Sequence, residues 1–228
     1  MLSIIVPVLD EAAGVEVALT ALSPYRTRGA ELIVVDGGSR DGTTALAQAF
    51  ADHVFVAPRG RAAQMNAGAA VARGDLLLFL HADTRLPDDA DALLQDGLAR
   101  SARAWGRFDV RFDRGGLLTV VAFAMNLRSR VTGIATGDQG LFVKRTAFES
   151  VGGFPPIALM EDVVLSARLK RISRPLCLSA RVTTSARRWK KHGTLRTVLL
   201  MWRLRLAYFF GADPAQLAQR YGYASAEQ

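Results

Sequence analysis

The sequence predicts an α/β fold with a mostly parallel central sheet flanked by helices. In the first hundred of its 228 residues, short apolar runs alternate with alanine-rich stretches whose apolar residues recur at helical spacing. The apolar runs are nearly continuous, which is typical of parallel strands covered on both faces. This alternation builds βαβ units. The predicted strands are Ile4–Val8, Glu31–Val35, Val54–Val56 and Leu76–Leu80.

Helices are predicted between and after these strands. They cover Gly14–Leu22, Thr43–Phe50, Arg61–Val71 and Asp88–Arg100. After residue 100, apolar residues from Trp105 to Phe112 take nearly alternate positions among charges, which predicts a half-exposed antiparallel strand. Further predicted elements are a helix at Leu117–Leu127, a loop at Gly133–Gly140, a strand at Leu141–Val143, a helix at Glu161–Ile172 and a strand at Leu176–Thr183.

The C-terminal segment Leu195–Phe210 is predicted to be an amphipathic helix. Its apolar stripe is Leu195, Leu199, Trp202, Leu206 and Phe209, and Arg196, Arg203 and Arg205 flank it. An apolar stripe with flanking arginines is typical of a helix at a membrane surface. Packing on the core of this chain, or on a second subunit in a homodimer, is an equal alternative.

Charge is distributed unevenly along the chain. Residues 1–100 carry eight Lys and Arg against 13 Asp and Glu, whereas residues 101–228 carry 21 against eight. From Val163 to Ala212 there are 12 basic residues and no acid. We therefore expect an acidic half suited to a cation and a basic half suited to phosphate or an anionic membrane surface. Nucleic acid is not expected, because neither aromatic platforms nor a recognition helix accompany the charges.

The predicted location is cytoplasmic, with peripheral attachment to the inner face of the membrane as an option. The single cysteine, Cys177, forbids an internal disulfide and fits a reducing compartment. The first residues lack the features of a signal peptide, and no apolar run is long enough to span a bilayer. Because no Pro- or Ser-rich linker interrupts the chain, we expect residues 1–228 to form one domain.

Carboxylates recur directly after the predicted strands. Asp10 and Glu11 follow the first strand, Asp36 ends the second, and Asp83 follows the fourth. The carboxyl ends of parallel strands form the ligand crevice of an open sheet, so these side chains are expected to converge. Any one of them alone is better explained as a helix cap or turn residue. The glycine-rich connection 36–43 would let a ligand approach the backbone, with Asp36 free to accept hydrogen bonds from a base or ribose.

An ordered set of motifs resembles glycosyltransferase family 2. The motifs are Ser3-Ile-Ile-Val-Pro-Val-Leu-Asp-Glu11, Val34-Val-Asp-Gly-Gly-Ser-Arg-Asp-Gly-Thr43, Gly60-Arg-Ala-Ala-Gln-Met-Asn-Ala-Gly68, Gly74-Asp-Leu-Leu-Leu-Phe-Leu-His-Ala-Asp83, Thr136-Gly-Asp-Gln-Gly140, Gly152-Gly-Phe154, Met160-Glu-Asp162 and Arg188-Trp189. The resemblance covers roughly residues 2–190. It is strongest to small soluble bacterial transferases whose metal motif reads His-Ala-Asp.

The resemblance implies a GT-A fold, Rossmann-like, with a short antiparallel portion on the acceptor side and C-terminal helices. Residues 1–100 would bind the nucleotide sugar, 101–192 would form the acceptor and catalytic half, and 193–228 a helical tail. The residues implied to bind the donor are Pro7, Asp10, Glu11, Asp36, Arg61, Asn66, Asp83, Arg188 and Trp189. Asp83, with His81, would hold a divalent cation, Mn²⁺ or Mg²⁺. Asp162 would be the general base, with Glu161 beside it.

These residue types suit an inverting, metal-dependent glycosyltransferase with an unknown acceptor, including a lipid-linked or phosphorylated one. A cation neutralises the charge that develops on the departing nucleoside diphosphate, and a carboxylate accepts the proton of the attacking hydroxyl. Gly37 and His81 stand where the family usually has aspartates, so His81 is a metal ligand, a phosphate contact or a structural residue. A nucleotidyltransferase of related fold and an inactive basic module that binds membrane or nucleic acid are the alternatives. Residues 8–11 lack the glycine-rich phosphate loop of a nucleotidyltransferase, which argues against the first alternative. The presence of Asp83 and Asp162 argues against the second.

Overall fold

Residues 1–222, apart from the side chains of Arg188, Lys191 and His192, are described in a computed structural model. Within this range eight strands form one sheet in the order β3-β2-β1-β4-β7-β6-β8-β5. The strands are β1 (Leu2–Val8), β2 (Glu31–Asp36), β3 (His53–Val56), β4 (Leu76–Phe79), β5 (Thr84–Arg85), β6 (Trp105–Phe112), β7 (Leu141–Lys144) and β8 (Leu176–Thr184). The predicted α/β class with a mostly parallel sheet is confirmed.

Helices cover both faces of this sheet. They are α1 (Val15–Thr20), α2 (Ser23–Thr27), α3 (Thr43–Ala47), α4 (Arg61–Val71), α5 (Ala90–Ala99), α6 (Leu117–Thr132), α7 (Arg145–Ser150), α8 (Glu161–Leu169), α9 (Arg187–His192), α10 (Thr194–Phe209) and α11 (Pro214–Tyr221). A 3-10 turn, Gly137–Gln139, lies inside the predicted loop. The elements α2, α7, α9 and β5 are not predicted from the sequence, because they are short and have little periodicity of their own, whereas α11 lies within the predicted helical tail.

The first four strands are parallel, and β1, β2 and β4 bury residues on both faces, whereas the edge strand β3 is partly exposed. In β1, Ile4 packs into the apolar cluster on one side of the sheet and Ile5 into the cluster on the other. Both residues are fully buried, as expected of strands covered by helices on two sides. Since β1, β2 and β4 run parallel side by side, their carboxyl ends open at the same edge.

The antiparallel portion of the sheet is formed by β7, which pairs antiparallel with both β4 and β6. The prediction that β6 is half-exposed is wrong, because seven of its eight residues are buried. The antiparallel prediction holds for its pairing with β7 only, since β6 runs parallel to β8. Two of its charged residues are buried together: Arg107 contacts Asp109, and Asp109 also accepts a 2.7 Å hydrogen bond from Arg130 on α6, whereas Arg111 is exposed.

Helix α10 exposes the apolar stripe that the sequence predicts. Leu195, Trp202 and Phe209 are 69%, 70% and 82% exposed, whereas Leu204, on the opposite side of the helix, is buried. The alternative in which the stripe packs on the core of this chain is therefore wrong. No helix within residues 1–222 combines the length and the apolar character needed to cross a bilayer.

Candidate active site

The loops after β1 and β2 are joined at the carboxyl edge of the sheet. Four hydrogen bonds connect them: Asp10 N–H to Ser39 Oγ (2.9 Å), Glu11 N–H to Thr43 Oγ1 (2.9 Å), Ala12 N–H to Asp41 Oδ2 (2.9 Å) and Arg40 N–H to Asp10 Oδ1 (2.9 Å). Asp10 takes a left-handed backbone conformation, with φ of 51°. A non-glycine residue in this region is costly and is found mostly where surrounding contacts hold it in place. The structure thus brings Asp10 and Glu11 beside the end of β2, as predicted.

Asp36 is fully buried, and both of its carboxylate oxygens are occupied within its own loop. Oδ1 accepts hydrogen bonds of 2.6 Å from the N–H groups of Gly38 and Ser39, and Oδ2 accepts one of 2.6 Å from Thr44. Burial alone raises the pKa of Asp36, but the hydrogen bonds from Thr44, Ser39 and Gly38 outweigh it and lower the pKa. The expectation that Asp36 is free to accept hydrogen bonds is therefore not met, because its carboxylate orders the loop.

Gln64, on α4, connects the ends of β1 and β2 from below. Its buried amide donates 2.8 Å hydrogen bonds to the carbonyl oxygens of Val8 and Val35. A Cβ at Gly37 would lie 3.1 Å from Gln64 Oε1, so Gln64 fills the space that a side chain there would need. Gln64 lies within the motif Gly60–Gly68, and the sequence alone predicts no role for it.

Pro7 and Asn66 also lie near this edge, with different roles. Pro7 is half-buried, beyond the part of β1 that pairs with β4, where a residue without an N–H group is tolerated. The Asn66 amide donates to Phe154 O at 2.9 Å and accepts from Phe154 N–H at 3.0 Å. Asn66 therefore holds the chain at Phe154.

The end of β4 carries the two predicted metal ligands. Asp83 is exposed, and its carboxylate is the hard oxygen ligand that Mn²⁺ and Mg²⁺ prefer. His81 fits a metal less well. Its Nδ1 lies 3.3 Å from Asp138 Oδ1, and a Cβ at Gly137 would lie 2.5 Å from its Nε2, so both ring nitrogens face the 3-10 turn. Within the described part of the chain, no three His, Cys, Asp or Glu side chains are grouped to hold a metal ion. The residues thus fit a cation at Asp83, not at His81.

Asp138, which the sequence reading did not single out, is half-exposed next to His81. Desolvation tends to raise the pKa of Asp138, but the hydrogen bond from His81 and the charges of His81, Arg61 and Arg205 outweigh it and lower the pKa. Arg61 itself is exposed at the start of α4, and its charge acts on both Asp138 and Glu161. In the sequence, the only indication that Asp138 belongs to the site is its position within the motif at residues 136–140.

Glu161 and Asp162 begin α8. Asp162 Oδ2 accepts a 2.8 Å hydrogen bond from Gly137 N–H, and Oδ1 accepts one of 2.7 Å from Val163 N–H. Residue 160 precedes the pair in a left-handed conformation, with φ of 70°. Burial, followed by repulsion from Asp162, raises the pKa of Glu161 to about 7. The hydrogen bond from Gly137 N–H fixes the Asp162 carboxylate against the turn that packs on His81. One crevice is lined by His81, Gly137, Glu161 and Asp162.

Helix α9 approaches the same edge from the C-terminal half. Arg187 forms an ion pair with Glu11, with Nη2 3.1 Å from Oε2, and this contact, reinforced by the charge of Asp83, raises the pKa of Arg187. Trp189 packs edge-on against Phe112, at 5.3 Å between ring centroids, and is partly buried in the core. Trp189 is therefore a packing residue here. The side chain of Arg188 lies outside the described residues.

Comparisons with known proteins identify the family of this chain. The family model described as glycosyl transferase family 2 matches residues 3–147. The PGL/p-HBAD biosynthesis glycosyltransferase of Mycobacterium bovis is 37% identical over 100 residues, covering 41% of this chain and 39% of that protein. The succinoglycan biosynthesis protein ExoA of Rhizobium meliloti is 30% identical over 190 residues, covering 73% of this chain and 57% of that protein. The chain thus spans less than two thirds of either relative.

A solved structure shares the fold. The mannosyltransferase PcManGT from Pyrobaculum calidifontis, in complex with GDP-Man and Mn²⁺, superposes with a TM-score of 0.67 at 20% identity. The superposition covers 97% of this chain and 69% of that chain. At this level of identity the similarity shows the architecture.

Proposed function

This chain belongs to glycosyl transferase family 2 and has the GT-A fold, and we propose that it transfers a sugar from a nucleotide-sugar donor to a hydroxyl group of an acceptor, with inversion at the anomeric carbon. The observation that carries the proposal is the position of Asp162. Its carboxylate is held by Gly137 N–H at 2.8 Å, on the turn that packs against His81 at the end of β4. This position, next to the end of β4, supports the proposal that the carboxylate of Asp162 is the base.

In the proposed reaction the acceptor hydroxyl attacks the anomeric carbon while Asp162 takes its proton. The bond from that carbon to the diphosphate oxygen breaks, and the nucleoside diphosphate leaves with the electron pair. Attack on the face opposite the leaving group inverts the anomeric centre. Asp83 would hold a divalent cation, Mn²⁺ or Mg²⁺, which when bound offsets the negative charge of the leaving diphosphate.

The donor half is proposed to bind the nucleoside over the joined loops after β1 and β2. Asp10 and Glu11 lie at this edge with Pro7, while Asp36 and Gln64 keep the loops in shape. Arg61 is exposed where its positive charge faces the crevice, so it is proposed to contact the diphosphate. Arg187 also lies here, paired with Glu11.

A nucleotide sugar is expected to raise the unfolding temperature of the protein. A ligand that binds only the folded state stabilises it by about 2.7 kcal/mol at 100 times its Kd. We expect one of UDP-, GDP- or dTDP-sugars to produce the shift, and Mn²⁺ to enlarge it. Thermal unfolding with each donor, with and without Mn²⁺, measures this, and the free nucleosides are the controls. If no donor shifts the unfolding temperature beyond its nucleoside, the proposed donor class is wrong.

We also propose that the exposed stripe of α10 attaches the protein to an anionic membrane surface. Three apolar residues of the stripe are more than two thirds exposed, and Arg196 and Arg203 beside it are exposed as well. Apolar side chains in the headgroup region and arginines near anionic lipid act together, at about 1 kcal/mol for each basic residue.

Vesicles test this attachment. Phosphatidylglycerol vesicles are expected to retain the protein at low salt, and phosphatidylcholine vesicles are not. Trp202→Asp should release it, while Val17→Asp, which changes a 59% exposed valine on α1, should not. Retention that is insensitive to both salt and Trp202→Asp would overturn the proposal. A dimer in solution that Trp202→Asp dissociates would assign the stripe to a second copy of the chain instead.

A further inference from the structure

A groove of about 700 Å³ lies between α6, the start of α8, α10 and the segment that leads into α11. Most of its walls are apolar: Ile134, Met160, Val163, Phe209, Ala212 and Pro214 contribute them, with Tyr208. Asp213, also in the lining, uses its carboxylate to accept a 3.0 Å hydrogen bond from Ala215 N–H at the start of α11. Two arginines, Arg128 on α6 and Arg205 on α10, bring positive charge into this apolar space.

The two arginines lack partners for buried nitrogen atoms. Nε and Nη2 of Arg128 and Nε of Arg205 are shielded from solvent and have no hydrogen-bond partner among the residues that the structure describes. Burial, followed by repulsion from Arg205, lowers the pKa of Arg128 to about 10, and Asp162 only partly offsets this. With a pKa of about 10, Arg128 is still charged at neutral pH. Buried cationic donors without acceptors are costly, and an anion between them would remove that cost.

The groove adjoins the proposed base. Met160 and Val163, which line it, flank Glu161 and Asp162 in the chain. Asp162 does not itself neutralise the arginines through hydrogen bonds, because its two oxygens accept from Gly137 N–H and Val163 N–H. The positive charge therefore stands next to the place where the acceptor hydroxyl must reach Asp162.

We propose that Arg128 and Arg205 bind the phosphate group of a lipid-linked acceptor, whose apolar chain lies along this groove. The inference rests on the proposed function and names the class of its acceptor. Guanidinium groups match phosphate because they offer forked, charge-assisted donors. A lipid is favoured over a free phosphate because the walls are apolar and Phe209 belongs both to the groove and to the exposed stripe of α10. The chain of the acceptor can thus pass from the groove towards the surface that α10 presents to lipid.

A short amphiphile tests the inference without donor or transfer. Isothermal titration of the full chain with decyl phosphate, below the concentration at which it forms micelles, measures the binding. Arg128→Gln and Arg205→Gln should each weaken it by about tenfold or more, because each loses charge-assisted hydrogen bonds. Arg100→Gln is the matched control. Arg100 follows α5, is exposed and pairs with the exposed Asp96, outside the groove lining and away from the stripe of α10, so its loss should leave binding unchanged.

Two further probes decide the chemistry. Inorganic phosphate should bind much more weakly than decyl phosphate, and decyltrimethylammonium, a cation of equal chain length, should not bind. Equal affinity for inorganic phosphate would overturn the lipid source, and binding of the cation would overturn the role of the arginines. Unchanged binding in both Arg128→Gln and Arg205→Gln would overturn the whole inference.

Measuring the unfolding temperature and donor binding of each variant distinguishes a failure of this inference from a failure of the proposed function. Because Arg128→Gln removes an unpaired buried charge, its unfolding temperature without ligand should equal or exceed that of the wild type. Should either variant unfold, the other still provides the test. Nucleotide-sugar stabilisation should be the same in all variants. If the wild type binds a nucleotide sugar but does not bind decyl phosphate, only this inference is contradicted. If neither the wild type nor any variant binds a nucleotide sugar, the proposed function is contradicted.

Discussion

Asp162→Asn is expected to lower the rate of sugar transfer by about 10²- to 10⁴-fold, the usual contribution of a general base. An amide has nearly the volume of the carboxylate but cannot take the proton of the attacking hydroxyl. Donor binding should persist, because the carboxylate of Asp162 accepts hydrogen bonds from Gly137 and Val163, and not from the joined loops after β1 and β2 that are proposed to bind the nucleoside. Transfer kinetics and the nucleotide-sugar thermal shift, measured on the same preparation, separate the two effects.

The substitution also changes a backbone contact, and this must be controlled. The amide introduced by Asp162→Asn has one acceptor oxygen, so it could keep only one of the two N–H donors that the carboxylate accepts from, Gly137 at 2.8 Å or Val163 at 2.7 Å. We therefore expect a small drop in the unfolding temperature, since one hydrogen bond to a charged group contributes about 1.5–3 kcal/mol. A variant that stays folded, binds donor and transfers sugar at the wild-type rate would show that another group is the base.

The strands that lead to the site could be predicted because their signal is local. Ile4–Val8 and Glu31–Val35 are continuous apolar runs, and the structure places strands within two residues of those bounds. Strand β6 is predicted with its correct bounds, but its burial could not be predicted in the same way. Its charged residues Arg107 and Asp109 suggested an exposed face, but Asp109 is paired with Arg130, 21 residues further along the chain. The pairing that allows burial is a tertiary contact, which no short-range pattern contains.

The site shows the same division between local and tertiary information. The motifs correctly placed Asp10 and Glu11 beside the end of β2, but Asn66 contacts the backbone of Phe154, 88 residues away. Asp10 and Met160 take left-handed conformations that favour glycine. Each stands next to a predicted site residue, Glu11 or Glu161. Local preference is thus broken at the two loops that carry the proposed chemistry, which is where strained backbone tends to occur.

Asp83→Asn is expected to abolish the part of nucleotide-sugar binding that depends on Mn²⁺. Asp83 is the exposed carboxylate at the end of β4, and both nitrogens of the neighbouring His81 face the turn at Gly137 and Asp138. With the carboxylate replaced by a neutral amide, the cation loses its charged protein ligand, and an amide oxygen is a weaker ligand for a hard cation. Thermal shift with the donor, as Mn²⁺ is titrated, measures the loss.

Asp75→Asn is the matched control, because Asp75 precedes the opposite end of the same strand. Its exposed carboxylate pairs with the N-terminal amine, at 3.3 Å, so its substitution should leave the Mn²⁺ effect intact. His81→Ala separates the two predicted ligands further. If His81 is held by Asp138 and the turn rather than by a cation, His81→Ala should lower stability while keeping the Mn²⁺ dependence of donor binding. A Mn²⁺ effect lost in His81→Ala but kept in Asp83→Asn would reverse this assignment and make the histidine the ligand.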